Sequence, residues 1–87
     1  MTQLDMSPID IDLRCIDHTR NKRRFYRMTV QRDLFGDWIL IREWGRIGRA
    51  GRIKCDRFGQ AGAAAEALQR FSNLKRRRGY KMWSVLR

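Results

Sequence analysis

The spacing of apolar residues changes once along this chain, and that change constrains the fold more than any other feature. Up to about Phe58, apolar residues alternate with polar ones at a period of two, which is typical of strands with one buried face. From Ala61 onward they recur at steps of three and four, which is typical of an amphipathic helix. A chain of 87 residues is too short for two independent cores, so the strands and the helix must share one.

The alternating region divides into four predicted strands, at about residues 9–16, 25–32, 38–44 and 52–58. Residues 17–24 are polar and basic and are predicted to form a loop. Residues 33–37 have the length of a hairpin connection, with a glycine near its end. The third predicted strand is partly apolar on both faces, so we place it at the centre of the sheet, with one face covered by the helix.

One long helix is predicted for about residues 61–77, ending near Gly79. Small side chains near its start would let its backbone lie close to a sheet; they are Ala61, Ala64 and Ala65. The apolar residues after Gly79 either add an edge strand or cover the sheet.

We therefore predict an α+β fold, an antiparallel β-sheet of about four to five strands with one long C-terminal helix packed across one face. Residues 1–8 are predicted to be an N-terminal tail and residues 9–87 a single domain.

The charge of the chain is far from balanced. Its 20 Lys and Arg against 9 Asp and Glu give a formal net charge of +11. Several of the acids precede residue 18, where Arg14 is the only base, so the positive excess is concentrated in the rest of the chain. A small fold with such an excess of arginine favours a polyanion as its partner over a surface that serves solubility alone.

No set of residues has the spacing of metal ligands. The two cysteines, Cys15 and Cys55, are far apart, and the lone His18 has no ligand partner nearby. Both cysteines lie in strand-like alternation and are predicted to be buried free thiols, with Ile53 pointing inward beside Cys55. No apolar run has the length of a membrane span, and residues 1–6 lack the features of a secretion signal. We expect a cytoplasmic protein that binds no metal, cofactor or membrane, with association to the nucleoid left open.

A short aromatic, basic and glycine-rich segment connects the third and fourth predicted strands. It comprises Trp44, Gly45, Arg46, Ile47 and Gly48, followed by Arg49, Gly51, Arg52 and Lys54. An aromatic ring beside a guanidinium suits a nucleic acid, which offers sugars and bases for stacking and phosphates for pairing. The three glycines lack the spacing of a nucleotide-binding loop, so a turn with positive φ values is the better interpretation. No catalytic constellation is evident, so we predict no catalytic residue and no enzyme.

Two interpretations of the motif's side chains stay open. Trp44 is either a contact for a partner or a core anchor of the hairpin, since tryptophan is often buried. Strand alternation puts it on the face of Arg42 rather than that of Ile41, which favours an accessible ring. The Arg46 guanidinium either meets a partner or bonds turn carbonyls or Glu43.

The sequence resembles the WGR domain, a family named after the tripeptide found here at residues 44–46. Supporting matches are Asn21-Lys22, Phe25-Tyr26, Gly51, and the helix around Phe71 with its basic end. The resemblance covers roughly residues 21–83. The family is found in DNA-dependent poly(ADP-ribose) polymerases and in bacterial proteins, where it can stand nearly alone.

The resemblance implies an antiparallel sheet with a helix against one face, and binding to DNA near strand breaks. In the polymerases the motif tryptophan packs on the sugar and base near a strand end, and the motif arginine lies at the same interface. This implies those roles for Trp44 and Arg46. It extends to Asn21 and Lys22, although Arg23 and Arg24 separate them here from the aromatic pair that follows. The chain has no room for the polymerase catalytic domain, so that activity is not implied.

We predict a non-catalytic nucleic-acid-binding module, for double-stranded DNA in preference to RNA, with ends or nicks as the favoured target. The predicted contacts are Trp44, Arg46, Arg49, Arg52, Lys54, Asn21 and Lys22, with turn glycines Gly45, Gly48 and Gly51. A secondary basic patch, otherwise a solvated helix end, comprises Lys75, Arg76, Arg77 and Arg78. The alternatives are RNA binding and docking on a partner protein, the latter through Leu34, Phe35, Trp83, Val85 and Leu86.

Overall fold

The computed structural model describes the backbone of residues 9–86 and the side chains of residues 9–84. The tail predicted for residues 1–8 lies outside the described residues. The elements are β1 (Ile9–Asp17), β2 (Lys22–Arg32), β3 (Trp38–Arg46), β4 (Arg52–Phe58), α1 (Ala61–Arg77) and β5 (Lys81–Leu86). The strands form one antiparallel sheet in the order β4-β3-β2-β1-β5. The predicted α+β fold is confirmed, and the residues after Gly79 add an edge strand.

The apolar core lies between α1 and the central strands. Leu13, Met28 and Leu40 are fully buried, and the helix covers them with Ala64, Ala67 and Leu68. The prediction that Ala61 and Ala65 also face the sheet is wrong, because the buried stripe of α1 follows Ala64, Ala67, Leu68 and Ser72. α1, the helix of the described range, lacks the length and apolar character needed to span a bilayer.

The connection between β1 and β2 is shorter than predicted. Residues 17–24 were expected to form a loop, but β2 already begins at Lys22, because Lys22 pairs with Asp17 and Arg24 pairs with Cys15. A single 3-10 turn closes the connection: the Asp17 carboxylate accepts a hydrogen bond from the Thr19 backbone N–H at 3.1 Å. This extension of β2 carries Arg24 into the sheet.

The motif at residues 44–46 belongs to β3 rather than to a turn, so the turn comprises only residues 47–51. Of the three glycines predicted to need positive φ values, only Gly48 has one, at +88°. Gly45 and Gly51 are required instead because two backbone segments approach closely. A Cβ on Gly51 would collide with the Trp44 carbonyl oxygen and lie 2.9 Å from Phe25 Cζ.

The sheet face away from the helix is open. Ile53 is 63% exposed and Cys55 is also exposed, so the prediction that both point inward is wrong; they lie on this open face. The alternation of β4 was read correctly, but the helix covers the opposite side of the sheet. Cys15 is a buried free thiol, as predicted.

We expect Gly51→Ala to lower the free energy of unfolding by about 1–3 kcal/mol, because the added methyl group overpacks a backbone contact. Gly62→Ala is the matched control, since a Cβ at that helical position meets open space. That control should raise the free energy of unfolding by about 0.5–1 kcal/mol. Urea unfolding measures both, and an unchanged midpoint for Gly51→Ala would contradict the close approach.

Candidate nucleic-acid interface

A cleft of about 440 Å³ opens between the sheet and the C-terminal end of α1. We call it the Trp44 cleft; its lining residues are Arg24, Trp44, Gly45, Arg46, Lys75 and Tyr80. They come from β2, β3, α1 and the residue that precedes β5, so the cleft exists only in the folded chain. No carboxylate is among these lining residues.

The Trp44 ring is both anchored and accessible. It is half-buried against the core and stacks on Tyr26, with ring centroids 5.9 Å apart and planes inclined by 24°. Tyr26 is buried and in turn meets Tyr80 edge to face at 6.4 Å. The two interpretations left open by the sequence are therefore compatible, because one part of the ring packs on the core while the rest lines the cleft.

Arg42 contacts the aromatic residues that underlie the cleft. Its guanidinium lies 4.0 Å from the centroid of the Phe71 ring on α1 and 5.8 Å from that of Trp44. It donates a hydrogen bond to the Tyr26 hydroxyl at 3.3 Å and is ion-paired with Asp56 at 3.2 Å. With only 12% of its side chain exposed, Arg42 serves the structure rather than a ligand.

Asn21 orients Arg46. The two guanidinium Nη atoms donate to the Asn21 carbonyl oxygen at 3.1 Å and to its side-chain Oδ1 at 3.2 Å. Asn21 adopts a left-handed conformation, with φ of +52°, which asparagine tolerates better than most residues do. The predicted alternative contact with Glu43 is not formed, since Glu43 faces Arg27 on the open face at 3.6 Å. A guanidinium has five N–H donors, so Arg46 retains donors for a ligand.

The remaining predicted contacts divide between the two faces of the sheet. Arg52 and Lys54 are exposed on β4, directly opposite Trp44 and Arg42 in the register, and so share the face of the cleft. Arg49 instead lines a groove with Phe25 and Arg27, which belongs to the open face. Lys22 is half-buried at the start of β2 and does not line the cleft.

The basic patch at the helix end is also divided. Lys75 lines the Trp44 cleft, whereas Arg77 lines a separate groove beside Phe71 and Leu74. Arg76 and Arg78 are exposed.

Sequence reasoning missed two lining residues, Arg24 and Tyr80. The signal for Arg24 was present, because the alternation that puts Tyr26 and Met28 on the helix face extends back to position 24. Tyr80 carries no such signal. It is placed by the end of α1, where Gly79 reverses the chain with a φ of +99°.

Cations and aromatic rings are interleaved in the cleft. The Lys75 Nζ lies 4.7 Å from the centroid of the Tyr26 ring and 5.5 Å from that of Tyr80. Burial, together with the charges of Arg78, Arg24 and Arg42, lowers the pKa of Lys75. Burial raises the pKa of Tyr80, and the charge of Arg24 and its hydrogen bond to the phenol oppose that rise. An anion entering the cleft would relieve this concentration of positive charge.

The fold and the site define a small, basic α+β binding module. The sequence model of the WGR domain matches residues 9–85, and the chain belongs to that family. WGR domains are nucleic-acid-binding modules. Within residues 9–86 no three His, Cys, Asp or Glu side chains gather as metal ligands would.

One relative is an uncharacterized protein, y4dW, of Sinorhizobium fredii (strain NBRC 101917 / NGR234). The two chains are 41% identical over 66 residues, which cover 76% of this chain and 32% of the relative. The matched region therefore spans about a third of the length of that relative. No solved structure matches the chain.

We expect Arg24→Gln to raise the pKa of Tyr80 further, because Arg24 favours the phenolate by charge and by a hydrogen bond. Spectrophotometric titration of phenolate absorbance measures this shift, and Tyr80→Phe identifies which transition belongs to Tyr80. A lower pKa in Arg24→Gln would contradict the placement of these two side chains in one cleft.

Proposed function

We propose that the chain binds double-stranded DNA at the Trp44 cleft, without catalysis and with a preference for ends or nicks. The observation that carries the proposal is the half-buried Trp44 ring in a cleft lined by three cationic side chains and no carboxylate. Inside an intact duplex each base is stacked on both faces. A strand end leaves one face of a sugar or base free for an aromatic ring, so Trp44 favours an interrupted duplex.

The cations have separate tasks in this proposal. Arg46, held by Asn21, directs its remaining donors at a phosphate beside the stacked nucleotide. Arg24 and Lys75 neutralise phosphates from the other walls of the cleft. Arg52 and Lys54 extend the positive surface along β4. Arg49 lies on the opposite face and contributes less.

The proposed binding discriminates strand structure rather than base sequence. Major-groove reading needs a protruding helix or ribbon that presents amide and guanidinium groups to base edges. α1 instead covers the sheet, and its exposed amides bond each other, with the Gln69 side chain donating to Asn73 at 2.9 Å.

We expect Trp44→Ala to weaken binding to a nicked duplex by about 1–3 kcal/mol, the contribution of one stacked base. Binding to the intact duplex of the same sequence should change less. Fluorescence anisotropy with labelled duplexes measures both affinities. Equal affinity for intact and nicked DNA that Trp44→Ala leaves unchanged would contradict end recognition.

A pair of arginine variants tests the face that DNA contacts. Arg46→Gln should reduce the slope of log affinity against log salt by about 0.9, the change for one lost phosphate contact on duplex DNA. Arg49→Gln removes the same charge from the opposite face and should change the slope less. If the two variants have equal effects, binding is a property of net charge and not of the Trp44 cleft.

Competition among duplex DNA, single-stranded DNA and RNA of equal length tests the class of polymer. The proposal expects nicked duplex DNA to compete best. Because aromatic rings and cations also serve RNA, stronger competition by RNA would replace DNA as the proposed ligand.

A second candidate function, docking on a partner protein, is favoured by the hairpin between β2 and β3. Leu34 is 99% exposed and Phe35 is 84% exposed. The Asp33 carboxylate accepts hydrogen bonds from the backbone N–H groups of Phe35 and Asp37, both at 2.9 Å, which fixes the hairpin. If this candidate is correct, a partner retained after nuclease treatment and high salt should be lost from Leu34→Ser/Phe35→Ser and kept by Trp44→Ala.

A further inference from the structure

We propose that β4 pairs in antiparallel fashion with β4 of a second copy of this chain, so that two five-stranded sheets join into one. β4 lies at one edge of the sheet, so its outer backbone groups have no strand beside them among residues 9–86. Such an edge is a template for another strand. It is not covered by α1, since the four residues 52–55 are exposed on both faces of the sheet.

The charges of β4 select one register for this pairing. With Cys55 opposite its copy, Lys54 of each chain lies directly opposite Asp56 of the other, which gives two pairs of opposite charge. One strand can slide past the other only in steps of two residues, because a one-residue slide would set side chains of opposite faces against each other. A two-residue slide sets Lys54 against Lys54 in one direction, where Arg52 also meets Asp56, and sets Asp56 against Asp56 in the other. Both shifts place like charges in contact, so the register centred on Cys55 is preferred.

The neighbouring pairs are also complementary in this register. Arg52 lies opposite Phe58 of the other copy, which sets a guanidinium beside an aromatic ring twice. Ile53, exposed in the single chain, lies opposite the aliphatic part of Arg57. Pairing therefore covers apolar surface that the single chain exposes on its open face.

Charge repulsion between two copies opposes the pairing, because each chain carries a net charge of +11. Exposed charges separated by more than about 8 Å are largely screened at physiological ionic strength, so the contacts along β4 dominate over the distant charges. Lysines on an edge strand commonly discourage pairing. Lys54 does not oppose pairing in the preferred register, because it meets a carboxylate of the other copy there.

The pairing places both Trp44 clefts on the same side of the joined sheet, because the two-fold axis is perpendicular to the sheet. A rise of about 3.3 Å per residue and a strand spacing of about 4.8 Å put the two Trp44 Cα atoms roughly 25 Å apart. In this dimer Lys54 bonds a carboxylate of the other copy, so the positive surface proposed along β4 keeps Arg52 and loses Lys54.

Charge exchange tests the register without DNA. Sedimentation equilibrium of the wild-type chain should show a dimer that dissociates on dilution. Lys54→Asp should weaken dimerisation by about tenfold or more, because it creates two like-charge pairs. Asp56→Lys creates two like-charge pairs as well, but it also removes the ion-pair partner of Arg42, so Lys54→Asp is the primary single variant. The double exchange Lys54→Asp/Asp56→Lys should restore dimerisation, because each new aspartate at position 54 lies opposite a new lysine at position 56. The new carboxylate at position 54 lies directly opposite Arg42 in the sheet, so Arg42 keeps a negative charge nearby.

The thiol of Cys55 gives a second measurement. Diamide, which takes up two electrons and two protons from a pair of thiols, should link two wild-type chains through Cys55, as seen on a non-reducing gel. Cys55→Ser should not be linked. Lys54→Asp keeps the exposed thiol and should be linked much more slowly. This control distinguishes a disulfide formed within the paired dimer from one formed by random collision of two chains.

A chain that stays monomeric up to about 1 mM, where even a Kd in the millimolar range would give some dimer, would overturn the proposal. So would a dimer that both single reversals leave intact, or one that the double exchange fails to restore. Circular dichroism of each variant establishes that loss of the dimer is not loss of the fold. Trp44→Ala leaves β4 unchanged, so it should lower DNA affinity without changing dimerisation. Failure of the proposed DNA binding can therefore be distinguished from failure of the proposed dimer.

Discussion

The guanidinium of Arg42 joins the helix to three strands at the point where the apolar core ends. It belongs to β3, bonds Tyr26 on β2, pairs with Asp56 on β4 and lies against Phe71 on α1. The Arg42 guanidinium is nearly buried, so removing Asp56 would leave its charge without the carboxylate that compensates it. Tyr26 stacks on Trp44 and the Arg42 guanidinium lies 5.8 Å from the Trp44 ring centroid, so Arg42 helps to set the position of the motif tryptophan.

The position of Arg42 also explains why the domain has a cleft. In its first half, α1 packs on the sheet through small residues, with Ala64 and Ala67 almost fully buried. In its second half, the bulky pair of Phe71 and Arg42 lies between helix and sheet. The helix therefore ends beside an aromatic and cationic layer instead of sealing the core, and Lys75 reaches over Tyr26 into the space that remains. Closer packing of the end of α1 on the sheet would bury more apolar area but would close the cleft.

The acids of the chain leave this site uncompensated. Asp10 and Asp12 lie on the open face of β1, where Asp10 accepts a hydrogen bond from Thr29 and Asp12 is paired with Arg14 and Arg27. Alternation along β1 is what directs them away from the cleft, since Ile11 between them points into the core. The cleft, lined by three cations and no carboxylate, therefore attracts a polyanion more effectively than the same three charges spread over the surface would.

The outcome for individual residues shows what the sequence could and could not establish. The helix was predicted at its observed bounds because its pattern persists over many turns, and the strand faces followed from a period of two. Which sheet face the helix covers is a tertiary choice, so the prediction for Ile53 and Cys55 was wrong. The reason for Gly51 was missed in the same way, because its neighbour Trp44 is close in space through the turn and not through local φ preference.

The cleft shows why a tripeptide alone is a weak predictor of this site. Trp44 and Arg46 contribute one wall, and alternation along a strand is enough to put both on one face. The other walls come from Arg24, Lys75 and Tyr80, which are brought together only by the start of β2 and the end of α1. A chain with the tripeptide but without these residues would keep the stacking ring and lose most of the charge beside it. The proposed recognition of a strand end needs both, so the functional unit of the proposal is the cleft and not the motif.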